Sequence, residues 1–199
     1  MGCGKTSIGK MLSKRMEYKF FEESFEGCPT LETFYQDPAR WSLATEVWFL
    51  LKKAKQHQII GKYSGSTVCD SPIQTGVGVF IPGMYEEGYL TKNEFEMLNS
   101  IYYDYIDQVI PKPTQFVYLK CQSDVLVDRI KKRGREFEQG CNEKYLESSI
   151  IGIERLIKVK NRLVQPMMVV DGNQSMEDVV GDIVEGFYVK GGMLCQEKY

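Results

Sequence analysis

The chain has 199 residues, 43% of them hydrophobic, with 25 Lys and Arg against 27 Asp and Glu and a net charge of −2. Such a composition suits one globular domain with a sizeable core, and the near-neutral balance excludes a broad nucleic-acid-binding surface. No run of 18 apolar residues occurs, which excludes a membrane-spanning helix, and six cysteines without CxxC pairing point to a reduced, cytoplasmic compartment with neither disulfides nor zinc.

The first six residues, Met1-Gly2-Cys3-Gly4-Lys5-Thr6, contain the second half of a phosphate-binding loop. Gly4-Lys5-Thr6 matches the end of G-x-x-x-x-G-K-[ST]. The first glycine of that pattern, and the strand that delivers such a loop, would fall before Met1, so the natural chain is expected to begin upstream. Glycines let backbone N–H groups face a phosphate, and the following helix adds its positive end. Gly2, Cys3, Gly4, Lys5, Thr6 and Ser7 are therefore candidates for binding a nucleotide. Lys5 would reach the β- and γ-phosphates, and the Thr6 hydroxyl would ligate Mg²⁺. A chance match at a chain terminus is the competing reading of six residues taken alone. Ile8, Met11, Leu12 and Met16 recur at helical spacing behind the loop.

Short apolar runs then alternate with longer helical stretches, the signature of an α/β protein with a parallel sheet. Strands are expected at 18–22, 66–70, 114–120 and 167–171. Their cores are continuous rather than alternating, as in strands buried on both faces. Three end at acids, Glu22/Glu23, Asp70 and Asp171. Ligands of such sheets bind beyond the carboxyl ends of the strands, which makes these acids candidates. Helices are expected at 38–60, with a stripe of Trp41, Ala44/Thr45, Trp48 and Leu51, and at 91–109, opened by a Thr91/Glu94 capping box. Further helices are expected at 123–132, 142–164 and 175–187. His57, the lone histidine, reads as a helix-surface residue.

Residues 129–135, Arg-Ile-Lys-Lys-Arg-Gly-Arg, carry five cations in seven positions. Cations at a helix C-terminus are often only a solvated end. Arg-Gly-Arg opening a loop, in a chain with a phosphate-binding motif, reads as a lid whose arginines grip a phosphoryl group.

Taken together, these blocks resemble the deoxyribonucleoside kinases, and most of all the bacterial purine-type enzymes. The resemblance rests on Gly4-Lys5-Thr6, Glu23-x-x-Glu26, Pro29-x-Leu31-Glu32-x-Phe34-Tyr35, Asp37-Pro38-x-Arg40-Trp41, Gln56-His57, Asp70, Phe80 and Met84-Tyr85-Glu86-x-Gly88. Pro111-Lys112-Pro113 and the run Arg129 to Leu146 complete it. It implies a three-layer α/β P-loop kinase fold with a helical lid over residues 1–199, its first strand missing. It also implies ATP- and Mg²⁺-dependent phosphorylation of a deoxynucleoside 5′-hydroxyl and assembly as a homodimer. Glu23 is then the general base, Asp70 the Mg²⁺-associated acid, and Tyr35 with Glu138 the pair that grips the sugar 3′-hydroxyl. Phe80 stacks on the base, and Arg129, Arg133 and Arg135 serve as lid arginines.

Three positions depart from the family pattern. Asp70-Ser71-Pro72 stands where Asp/Glu-Arg-Ser is usual, Glu46 replaces a base-reading Gln, and Gly76 replaces a polar or charged residue. A carboxylate at 46 offers acceptors only, which suits the two adjacent donors of guanine better than adenine. A solvent-facing Glu46, or one paired with Lys53, would read nothing. Two other classes fit the same motifs: a nucleoside monophosphate kinase of related fold, and a non-catalytic relative acting as a binding or structural subunit.

Overall fold

The computed structural model describes residues 2–23, 25–134, 150–154 and 167–194. Gly4 opens helix α1 (Lys5–Met16) with a φ of 81°, a left-handed conformation that glycine adopts without strain. Strand β1 (Lys19–Phe21) pairs in parallel with β2 (Thr67–Cys69), and β3 (Phe116–Lys120) pairs in parallel with β4 (Met167–Asp171). All four strands fall inside the ranges that the apolar runs predict. Among the described residues they form two two-stranded ladders rather than one continuous sheet.

The helices form two groups, one of which packs on the strands. In that group α1 packs with the C-terminal helix α8 (Met176–Leu194). Ile8 and Leu12 meet Leu119 of β3, Val170 of β4 and Val180 of α8, with Val68 of β2 alongside. The other group is a larger helical cluster. It holds α2 (Leu31–Gln36), α3 (Pro38–Gly61) and a helix broken into three registers: α4 (Ile73–Thr75), a π-turn (Gly76–Phe80) and α5 (Ile81–Glu86). It continues with α6 (Lys92–Ser100), which runs into a second π-helical stretch (Ile101–Ile106). Leu50, Ile73, Ile81, Leu98 and Tyr102 form the centre of this cluster. Helix α7 (Ser123–Arg133) lays Leu126 and Ile130 over the first turn of the chain beside Cys3.

The capping box at Thr91 and Glu94 forms as expected, with Thr91 Oγ1 accepting from the Glu94 N–H. Three other expectations need correction. Burial of β4 alternates, with Met168 and Val170 buried and Val169 53% exposed, while β3 buries Phe116 and Leu119 and exposes Val117. The buried face of α3 is also not the aromatic stripe. It is Ser42, Thr45, Glu46, Leu50, Lys53 and His57, while Leu51 is 59% exposed. This helix turns a mostly polar face inward because that face borders a cavity. His57 is accordingly buried and not a surface residue. Its Nδ1 lies 2.9 Å from the Lys53 carbonyl, and burial lowers its pKa. The expected helix 142–164 lies outside the described residues, except for helical residues 150–154.

Candidate active site

Parallel pairing places the ends of β1 and β2 side by side, and the Asp70 N–H donates to the Phe21 carbonyl at 2.9 Å to extend the ladder. Glu23 and Asp70 thus emerge at the carboxyl edge of the same ladder, where the N-terminus of α1 also points. A cavity opens there. It is lined by Lys5 and Thr6 of α1, Glu23, Asp70, Arg133 at the end of α7, and the inward face of α3.

Lys5 and Thr6, at the start of α1, form one end of the cavity, directly after the turn at residues 2–4. Gly2 has a φ of 73°, and a Cβ at this position would sit 3.0 Å from the Leu126 carbonyl oxygen, so the close approach of α7 requires glycine. Thr6 Oγ1 donates to Asp70 Oδ2 at 2.5 Å. Asp70 is buried, and among the described residues its Oδ1 has no hydrogen-bond partner. Lys5 lies deep in the site. Burial pulls its pKa down, but Cys3, Asp70 and Glu23 together outweigh burial, and the pKa is raised. Lys5 is therefore a fixed cation in the pH range where proteins work.

Beside it stands Glu23. Lys53 Nζ donates to Glu23 Oε1 at 2.6 Å, to the Ser71 carbonyl at 2.7 Å and to Ser71 Oγ at 3.1 Å. Burial raises the Glu23 pKa, but the charge and hydrogen bond of Lys53, the charge of Lys5 and a hydrogen bond from Ser71 outweigh it. The net shift is downward. Glu23 is consequently an ionised carboxylate held in one orientation.

The far end of the cavity is apolar, with one acid. Phe34, Tyr35, Phe80 and Met84 line it, and Gly76 leaves open space in which a Cβ would lie 3.9 Å from Glu46 Oε2. Glu46 is 5% exposed and makes no hydrogen bond to Lys53. Burial pushes its pKa up; Lys53 opposes this and Glu23 adds to it, and the result is about 7. Neither alternative foreseen for Glu46 holds, since it neither faces solvent nor bonds Lys53.

Most of the residues singled out from the sequence therefore converge. Lys5, Thr6, Glu23, Tyr35, Glu46, Asp70, Phe80 and Arg133 all line one cavity. Gly2, Cys3 and Gly4 form the turn just before Lys5 without lining the cavity, and Ser7 is exposed on α1. Arg129 does not line the cavity; its Nη1 donates to the Gly172 carbonyl at 2.9 Å, beyond the end of β4. Asp171 is likewise elsewhere, accepting from the Asn173 N–H in a local turn. Arg135 and Glu138 lie outside the described residues. The residue the sequence reading missed is Lys53. Its signal was Glu46 seven positions earlier, two helical turns away on the same face.

A family model described as deoxynucleoside kinase matches residues 1–187. A deoxyadenosine/deoxycytidine kinase of Bacillus subtilis (strain 168) is 30% identical over 148 residues, covering 74% of this chain and 68% of its own. A deoxyguanosine kinase of the same organism is 30% identical over 158 residues, covering 79% and 75%. A solved structure of a deoxyadenosine kinase from M. mycoides, with dCMP and dCDP bound, superposes with a TM-score of 0.85 at 23% identity over 95% of both chains. The likeness extends to the three-layer arrangement of helices on parallel strands, which is the P-loop kinase fold. With the glycine turn at 2–4, Glu23 and Asp70 gathered at one edge of that fold, the chain belongs to the deoxynucleoside kinase family, enzymes that phosphorylate deoxynucleosides with a nucleotide as phosphate donor.

Proposed function

We propose that the protein transfers the γ-phosphoryl group of ATP to the 5′-hydroxyl of a deoxynucleoside, preferably a purine one, in cytoplasmic nucleotide salvage. The observation that carries this reading is one cavity with Lys5 and Thr6 at one end, Glu46 and Phe80 at the other, and the ionised Glu23 between them.

In this reading the turn Gly2-Cys3-Gly4 and Lys5 hold the donor's phosphates, and Arg133 with Arg135 closes over the transferred group. Glu23 accepts the proton that the 5′-hydroxyl loses as its oxygen attacks phosphorus. Tyr35 and Glu138 hold the 3′-hydroxyl, and Phe80 stacks on the base. Positioning and electrostatics supply most of the rate in such transfers. Mg²⁺ fits the donor set: Thr6 Oγ1 and Asp70 are hard oxygen ligands, and the second Asp70 oxygen is buried without a partner among the described residues. When bound, the ion neutralises charge developing on the phosphates.

A nucleoside monophosphate kinase would need a further cation for the substrate's own phosphate. Lys53 does not supply it, because three acceptors already occupy its three protons. ATP-dependent transfer to a panel of deoxynucleosides and their monophosphates tests the reading. Phosphorylation of deoxynucleosides alone is expected. Glu23→Gln should lower kcat by ~10²-fold or more with ATP binding retained, the usual contribution of a positioned base. Unchanged turnover would remove Glu23 from the mechanism.

A further inference from the structure

A buried lysine is costly unless its charge is compensated. Lys53 is 8% exposed, and its Nζ is saturated by Glu23 Oε1 and by two oxygens of Ser71. Ser71 itself is unusual. It is one of two non-glycine residues with positive φ among the described residues, at 58°. That conformation is disfavoured for a residue with a Cβ and persists only where its surroundings hold it. Here it turns the Ser71 carbonyl onto the ammonium, and the Ser71 hydroxyl accepts from Lys53 and donates to Glu23. Three elements meet at this triangle: the end of β1, the turn after β2 and the middle of α3.

We propose that Lys53 and Ser71 are positioning residues for phosphoryl transfer, which together hold Glu23 ionised and aimed at the nucleophile. The proposal rests on the reading of Glu23 as proton acceptor. Lys53 keeps its own protons throughout; the proton of the substrate hydroxyl goes to Glu23. Other charges face the triangle. Lys5 of α1 acts on Glu23, and Glu46 and His57 of α3 and Cys69 of β2 interact with Lys53. Asp70 and Arg133 share the cavity. Lys53 is the first of the cations acting on Glu23, and the one that bonds it.

The test is the pH dependence of kcat/KM for the full chain, with thermal melting and ATP binding as controls of folding. In Lys53→Met the charge and its hydrogen bond are lost, and only Lys5 and Ser71 still oppose the effect of burial on Glu23. The acid limb of the profile should move up by at least one pH unit, so that at pH values below both limbs the loss relative to the parent protein is about tenfold larger than at pH 8.5. Lys53→Arg should keep the limb near its parent position. Ser71→Ala keeps the carbonyl and removes the hydroxyl, and should move the limb the same way by a smaller step. In a Glu23→Gln background, Lys53→Met should cost nothing further, because Lys53 acts through Glu23. If Glu23→Gln is fully active, the underlying reading fails. If Glu23→Gln is inactive but Lys53→Met or Ser71→Ala leaves the limb unmoved, the reading stands and this proposal is overturned. Should Lys53→Met not fold, Ser71→Ala decides by the same criterion.

Discussion

Glu46 and Glu23 share one cavity, yet only Glu46 titrates near neutrality, because Lys53 bonds only one of them. Glu23 is held ionised, whereas burial raises the Glu46 pKa from 4.5 to about 7. A protonated Glu46 offers one donor and one acceptor, as an amide does; the carboxylate offers acceptors only. The expected guanine preference therefore belongs to the ionised form. The ratio of kcat/KM for deoxyguanosine over deoxyadenosine should rise about tenfold from pH 6 to pH 8.5, the worth of roughly one hydrogen bond. In Glu46→Gln the ratio should stay flat. A flat ratio in the parent protein would remove Glu46 from base reading. Stability gives a second readout. A carboxyl whose folded pKa is raised binds its proton more tightly when folded, so its contribution is full below pH 4.5 and is lost as pH rises through about 7. Glu46→Gln should therefore gain on the parent protein by ~1–3 kcal/mol in denaturant unfolding at pH 8.5 and gain little at pH 4.5.

Among the elements, the turn after β4 offers a steric test. A Cβ on Gly172 would lie 2.5 Å from the sulfur of buried Cys121 and 3.4 Å from the Lys120 carbonyl oxygen. The Gly172 N–H donates to that carbonyl at 2.8 Å, so the backbone has little room to retreat. Gly172→Ala should cost ~1–3 kcal/mol, and Cys121→Ala in the same chain should recover much of it by making space. Two independent, additive losses in denaturant unfolding would refute the packing argument. Which elements were legible in the sequence follows from similar physics. Continuous β-branched and aromatic runs announced all four strands, and the capping box fixed the start of α6 at its Thr91 cap. The helical stretch from Ile73 to Glu86 was hidden, since Gly76, Gly78 and Pro82 all argue against a helix.

The two glycines, Gly76 and Gly78, lower helix propensity, and Pro82 has no N–H to donate; the π-turn at Gly76–Phe80 sits where that missing donor would disturb an ordinary helical register. Lys53 was hidden for another reason. Its partners, Glu23 and Ser71, are 30 and 18 residues away, a distance over which periodicity carries no information.

At the scale of the whole molecule, the surface left over by α3 and α6 is the next question. Tyr102 is buried in the helical core, and Trp41, from the stripe read along α3, packs against it. Leu51 remains 59% exposed and Tyr105 70% exposed, with Ile59 and Val109 also on the surface. Exposed apolar groups of this size on neighbouring helices favour a second copy of the chain as their cover. A homodimer at micromolar concentration is the expected result of sedimentation, and Leu51→Glu with Tyr105→Glu should shift it to monomer. A monomeric parent protein would rule this out.

Helix α3 also acts as a gauge. Glu46 and Lys53 project from it seven residues apart, a rise of about 10.5 Å along a rigid rod. On the reading proposed above, one residue meets the base and the other, through Glu23, meets the opposite end of the same nucleoside. The span between recognition and reaction is then set by helical pitch, not by a loop that could stretch. A nucleoside whose base seats too high or too low carries its 5′-hydroxyl out of reach of Glu23. Selection among bases would thus be expressed in turnover as well as in binding.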